Sequence, residues 1–310
     1  MQADGGWQST RGDSNAMHLL TLRTVLVATD LDNASVAAIE TGRRLAAAAG
    51  ATLHIVYVTH GSLSERTRSE VEAFVRRAGV EPDARHVHLM DGDPPHAIRL
   101  LADRIGADVI VVGPHRERRD TDGGTSLGST ALAIVTDSFA PCLVAREPLA
   151  IPVERVLVAV DLSDTARGAL VVGLSWASAL RAPPARAGAS TAATMLVLHV
   201  DRSMSGHDGG AAPFEREVLR IREDAGQWAG VSIEDLLVSG SDTAQMIADA
   251  ASEHRAGLIV LGTRGLGLDR VGRLGSVSAS VVRLCPTPVL LVPPAVWMSY
   301  ASSEGHLMAR

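Results

Sequence analysis

The segment Thr24–Asp30 (TVLVATD) returns as Arg155–Asp161 (RVLVAVD), and the return is not isolated. Leu53–Val58 returns as Met195–Val200, Val109–Gly113 as Leu258–Gly262, and Gly128-Ser129 as Gly275-Ser276. Four matches in one order mark a tandem duplication, and a duplicated chain folds as two similar units. The 310 residues leave about 150 for each unit. Pro148 and Pro152 mark a linker over 148–154, between a first unit at 21–147 and a second at 155–293. Residues 1–20 are polar, Gly/Ser-rich and aperiodic, and read as a disordered leader. Residues 294–310 form a tail without assignment. The second copy is longer by about 18 residues between its first and fourth strands. Arg181–Thr194 and Asp201–Pro213 read as the surface loops that hold the excess.

Within each unit, short β-branched runs alternate with helical spacings. The first unit reads as strands at Thr24–Asp30, Thr52–Val58, Arg85–Met90, Asp108–Val112 and Cys142–Ala145. Helices fall between them at Ala34–Ala49, Glu65–Ala78, Pro95–Gly106 and Gly128–Ser138, with Asp93 as a cap before Pro94-Pro95. Strands that are apolar throughout belong in a parallel sheet covered on both faces, so the class is α/β. Composition narrows the function. Aromatic residues are 3% and net charge is −6, which argues against stacking on single strands and against general nucleic-acid binding. No apolar run approaches the 18 or so residues that span a membrane. Only Cys142 and Cys285 are present, which suits a reducing compartment, so the expected location is cytoplasmic.

One stretch carries the chemistry. Leu258–Leu261 is an apolar strand, Gly262 ends it, Gly265 follows, and Gly275-Ser276 opens a run of small residues with helical spacing. The spacing is G-x2-G-x9-G-S. Glycines let backbone approach a ligand, a glycine-rich loop can wrap phosphates, and the next helix offers free N–H groups and a positive dipole end. The Ser276 and Ser278 hydroxyls add donors, and Arg264, Arg270 and Arg273 add positive charge that suits a triphosphate. There is no Gly-Lys-Ser/Thr, so this is not a Walker loop. Arg270 stands where a dinucleotide fingerprint needs its third glycine.

These residues resemble the nucleotide-binding signature of the universal stress protein family, in its ATP-binding branch, and the resemblance runs from Thr24 to Pro293. It implies two tandem doubly wound domains, each a five-stranded parallel sheet of order 3-2-1-4-5 with helices on both faces. The ligand crevice then lies between strands one and four, where strand order reverses. There Asp161 has two readings, as a hydrogen-bond acceptor for ribose or adenine or as the residue that shapes the turn into the next helix. By the resemblance, Val200 offers backbone to adenine, and Leu261 and Gly262 line the base. Arg264, Gly265, Gly275, Ser276, Val277 and Ser278 surround ribose and phosphates. The ligand is ATP, with Mg²⁺ arriving on the nucleotide and Asp269 a weak metal candidate. The first unit keeps Asp30, Val58, Gly113, Gly128, Ser129 and Thr130, but Arg116 replaces the second glycine and the following gap is longer. Strand five is a pairing edge in the family, which implies that the two units pair with each other and that a homodimer can form.

The expected function is a nucleotide-dependent sensor or switch in stress response, read by an unknown protein partner. A ligand-free scaffold of the same fold is the alternative. A nucleotidyl-transfer enzyme would need a histidine pair at the phosphates or an SGGxDS-type loop, and the sequence has neither. No catalytic residue and no base that positions water can be named, so at most slow ATP hydrolysis is expected. His86 and His88 share one strand face and His115 lies in the first loop, but a metal site needs three or four convergent ligands. They read as ordinary histidines, and no metal site is expected.

Overall fold

The structure is a computed structural model. It describes residues 22–61, 63–83, 85–114, 127–182, 192–202, 213–219, 230–264 and 274–296. The first half runs β1 (Thr24–Thr29), α1 (Ala34–Ala49), β2 (Thr52–Thr59), α2 (Glu65–Arg77), β3 (Val87–Asp91), α3 (Pro94–Ile105), β4 (Val109–Val112), α4 (Ser129–Asp137) and β5 (Cys142–Val144). The second runs β6 (Arg155–Val160), α5 (Asp164–Ala179), β7 (Ala193–Asp201), α6 (residues 213–219) and β8 (Val231–Ser239). It continues through α7 (Thr243–Glu253), β9 (Leu258–Gly262), α8 (Ser276–Leu284) and β10 (Val289–Val292).

The strands form one ten-stranded sheet in the order β3-β2-β1-β4-β5-β10-β9-β6-β7-β8. Each half therefore has the doubly wound order 3-2-1-4-5. Neighbours within a half are parallel. At the seam β5 and β10 are antiparallel, with Leu143 opposite Leu290 and Cys142 opposite Leu291. Arg146 crosses the seam and donates to the carbonyls of Arg283 at 2.8 Å and Cys285 at 3.2 Å.

The sheet is covered on both sides. Helices α1, α2, α5 and α6 pack one core against one face, and α3, α4, α7 and α8 pack a second core against the other. This is why the middles of the central strands are apolar on both faces: Val25, Leu26 and Val27 have no exposed surface. Each such side chain contributes about 1.5–3 kcal/mol by leaving water. Gly42 of α1 and Gly173 of α5 are equivalent, and each lets its helix sit directly on a strand. A Cβ there would overlap Val27 Cγ2 or Val158 Cγ2.

Local signals set the element ends. The Asp93 carboxylate accepts the His96 N–H, capping α3 ahead of its two prolines. β3 starts at Val87, two residues later than the spacing predicts. Asp83 holds Arg85 and His86 in a turn, its carboxylate accepting the Arg85 N–H and its carbonyl the His86 N–H. The linker is packed rather than loose. Leu149 is buried, its N–H donates to Thr41 Oγ at 3.0 Å, and its carbonyl accepts from Arg44 at 2.9 Å. Among the described residues no helix is long and apolar enough to cross a membrane.

Candidate nucleotide site

In each half the strand order reverses between the first and fourth strands, and a crevice opens there at the carboxyl ends. The second half's crevice, between β6 and β9, measures about 450 Å³, within the usual range for a small-molecule site. Asp161, Val200, Leu261, Gly262, Arg264, Gly275, Ser276, Val277 and Ser278 all line it. Gly265, Asp269, Arg270 and Arg273 lie outside the described residues.

The floor is a strained turn. Leu162, just after β6, has φ 65°, and Leu31, its equivalent after β1, has φ 63°. Bulky side chains avoid this region, so the turn is held by its surroundings. Asp161 Oδ1 accepts the Ser163 N–H at 3.1 Å and the Ser163 hydroxyl at 2.5 Å. Ser163 in turn accepts the Ala166 N–H and caps α5. The helix cap is thus Ser163, and Asp161 orients it from the mouth of the crevice.

The far wall is the start of α8. Its cap position is Gly275, with no side-chain cap, so the helix dipole's positive end faces the crevice without a built-in acceptor. The Gly275 N–H itself is not free. It donates to the Thr263 carbonyl at 2.9 Å. Nor is the Ser278 hydroxyl a spare donor, as the sequence suggests, because it is buried and donates to the Gly262 carbonyl at 2.8 Å. These two bonds clamp the stems of the segment that connects β9 to α8. Gly275 suits that close approach, since a Cβ would sit 3.3 Å from the Thr263 oxygen, a tight contact that the backbone would have to relieve by a few tenths of an ångström.

Several lining residues escaped the sequence reading. Thr243 and Ile247 come from α7, which the sequence pattern did not delimit. His199 also lines the crevice, its Nδ1–H donating to the Val160 carbonyl at 2.8 Å and its ring stacked on Phe214 at 5.5 Å. That contact joins strands far apart in sequence, and only the pairing of Val160 with His199 reveals it.

The first half's crevice is smaller, about 270 Å³. Asp30, Val58, Gly113, Gly128, Ser129 and Thr130 line it, while Arg116 and His115 lie outside the described residues. Asp30 Oδ1 accepts the Ser35 hydroxyl at 2.5 Å and the Asp32 N–H at 3.0 Å. Ser35 is buried against the crevice, where the second half has Ala166. Tyr57 and His60 occupy the places of His199 and Arg202. Gly113 abuts α1, and a Cβ would meet the Ala34 oxygen at 3.1 Å, so packing alone explains this glycine.

Among the described residues no group of three metal-ligating side chains is assembled. His88 instead pairs with His54 across the β2–β3 ladder, Nε2 to Nδ1 at 2.9 Å, and His86 meets the His54 ring edge-on at 5.0 Å. Burial and the neighbouring histidines hold His54 below the usual histidine range. Burial, then Arg104 and His86, does the same to His88.

Comparison with known proteins agrees with this architecture. The model of the Universal stress protein family matches residues 21–146 and again 152–293. A universal stress protein of Thermus aquaticus, encoded in the QAH/OAS sulfhydrylase 3′ region, is 36% identical over 145 residues, which is 44% of this chain and 96% of that protein. The crystal structure of a universal stress protein from Archaeoglobus fulgidus DSM 4304 superposes with a TM-score of 0.62 at 22% identity, covering 88% of this chain and 99% of that one. A functionally unknown protein from Pseudomonas aeruginosa PAO1 superposes with a TM-score of 0.60 at 14% identity, covering 93% and 99%.

Proposed function

Because the chain belongs to the universal stress protein family, we propose that it binds an adenine nucleotide, ATP with Mg²⁺, in the crevice of its second half, and that occupancy acts as a switch in stress response. The observation that carries this reading is convergence. An acid at the end of β6, a strand end at Val200 and the uncapped start of α8 face one cavity of about 450 Å³. In this reading Asp161 and Val200, which both line the crevice, meet the polar edges of a nucleoside. The amides at the start of α8, with the Ser276 hydroxyl and Arg264, offer phosphates N–H donors and positive potential. Among the described residues there is no carboxylate cage, so Mg²⁺ would be held chiefly by phosphate oxygens. The reading is binding rather than turnover.

The first half has a different reading. Its crevice is smaller, and Ser35 narrows it where the second half has Ala166. We assign it to scaffolding through the β5–β10 seam, with nucleotide binding at most weaker there. A partner protein would read the surface around residues 262–275.

The deciding experiment is a calorimetric titration of nucleotide-stripped protein with Mg-ATP. One site per chain, abolished by Gly275→Val, is the expected result. Two sites would restore ligand binding to the first half. No heat at several temperatures, with no nucleotide released on denaturation, would leave only the scaffold.

A further inference from the structure

Helices α3 and α7 occupy equivalent places in the two halves, and they start alike. The Asp93 carboxylate accepts the His96 N–H at 3.2 Å, and the Asp242 carboxylate accepts the Gln245 N–H at 3.1 Å. Ile98 and Ile247 follow these caps at the same spacing, and each lines its own crevice. The residue directly after the cap lines the crevice as well, but it is Pro94 in the first half and Thr243 in the second. Proline is well suited to the first position of a helix, so the helix itself has no need of threonine there. Thr243 is half-buried, and among the described residues its hydroxyl has no hydrogen-bond partner.

The charges of the crevice decide what this hydroxyl would meet. Phosphates belong at the start of α8, where Gly275 leaves the helix uncapped and Arg264 adds positive charge. On the side formed by β7 and α7 the balance is reversed. Asp161 and Asp201 outnumber Arg202 there, and Val200 and Ile247 are apolar, which suits an uncharged ring rather than a phosphate chain. The Gly240 N–H donates to the Asp201 carbonyl at 3.1 Å and ties the approach to α7 to the end of β7. Thr243 thus stands on the ring side of the crevice. A hydroxyl both donates and accepts, and a half-buried one gains most from a ligand group that completes its hydrogen bonds.

We propose that Thr243 is a specificity-determining residue of the second half's crevice, its hydroxyl accepting a hydrogen bond from the exocyclic amino group of the base. The assignment rests on the nucleotide reading given above and deepens it, because it names the part of the ligand that is recognised. It also separates the two halves. Pro94 has neither a hydroxyl nor a backbone N–H to offer, so the first half's crevice lacks this means of choosing a base. A site built to bond an amino group disfavours an analogue without one.

The test is calorimetry on the full chain with two ligands, Mg-ATP and the Mg complex of purine riboside triphosphate, which lacks only the 6-amino group. The parent protein should bind ATP more tightly, by about fivefold, the worth of one hydrogen bond. Thr243→Val keeps the shape and removes the hydroxyl. It should weaken ATP by about fivefold and leave the analogue unchanged, so that the preference disappears. Thr243→Pro, which copies the first half, should do the same, and Thr243→Ser should keep the preference. Equal weakening of both ligands by Thr243→Val would reduce Thr243 to a packing role and overturn the proposal. A preference that survives in the Val and Pro variants would overturn it too, as would a parent protein that binds both ligands equally. A parent protein that binds neither would overturn the nucleotide reading itself, and this assignment with it.

Discussion

The Ser278 hydroxyl donates to the Gly262 carbonyl across 2.8 Å, fastening the first turn of α8 to the last residue of β9. The first half has Ala131 at that place and cannot make the bond. Ser278→Ala should therefore loosen the stems of the 262–275 segment. Loss of one buried hydrogen bond is worth about 1 kcal/mol, so Mg-ATP affinity should fall by roughly fivefold. Calorimetry on the variant checks this. Unchanged affinity would mean that the Gly275–Thr263 bond holds the stems alone.

Asp161 can be tested as ligand and as turn former separately. Asp161→Asn keeps an oxygen for the Ser163 N–H and hydroxyl but removes the charge. It should leave the melting temperature nearly unchanged and weaken nucleotide binding by about tenfold, the loss expected of one charged hydrogen bond. An Asn variant with normal affinity would confine Asp161 to orienting Ser163.

Gly42→Ala and Gly173→Ala should each destabilise the fold by about 1–3 kcal/mol, because the added methyl overlaps a strand valine that lies in a filled core. Chemical denaturation measures this directly. A neutral result at either site would show that α1 or α5 can lift off the sheet at little cost.

Acidification should destabilise the first half selectively. His54 and His88 both have their pKa values lowered by burial, so the unfolded chain takes up protons that the fold resists. Stability is then complete above the unfolded histidine pKa of about 6.5 and falls as pH drops below it, towards the lower folded values. His88→Gln should flatten the dependence of melting temperature on pH between about 7.5 and 5. A curve as steep as that of the parent protein would place the responsible protons elsewhere.

Neither thiol should react in the native state. Burial pushes Cys142 up to about 12 and Cys285 up to about 11, which leaves almost no thiolate at pH 8. Ellman's reagent should detect no fast thiol before denaturant is added and two afterwards. Rapid native labelling of Cys285 would show that the end of α8 opens.

The parts of the fold that could be read from sequence were those where one physical demand dominated. β1, β6 and β9 lie between two helical layers, and burial on both sides leaves an unbroken apolar run in the middle of each. Asp93 before two prolines marks the start of α3 without help from the rest of the chain. β8 could not be read in the same way. It is an outer strand with Ser232, Glu234 and Asp235 interleaved among its apolar residues, and its burial alternates weakly. Losing β8 and α7 also lost Thr243 and Ile247 from the crevice. Ser278 illustrates a second limit. Its residue type and spacing suggest a ligand donor, but the Gly262 carbonyl that takes its hydrogen comes from a strand 16 residues earlier. His54 is similar, since only the register of β2 against β3 puts it beside His88.

The antiparallel seam between β5 and β10 decides who can address this molecule. Reversing direction there sends the carboxyl ends of the two half-sheets to opposite rims of a single slab. The crevices consequently open on opposite sides, out of reach of any one compact visitor. Whatever docks beside residues 262–275 meets one mouth and is blind to the other. Between the two mouths lie β6, β9, β10, β5, β4 and β1, joined edge to edge as hydrogen-bonded ladders. The duplication therefore gives two separate mouths on one continuous sheet rather than a single shared pocket.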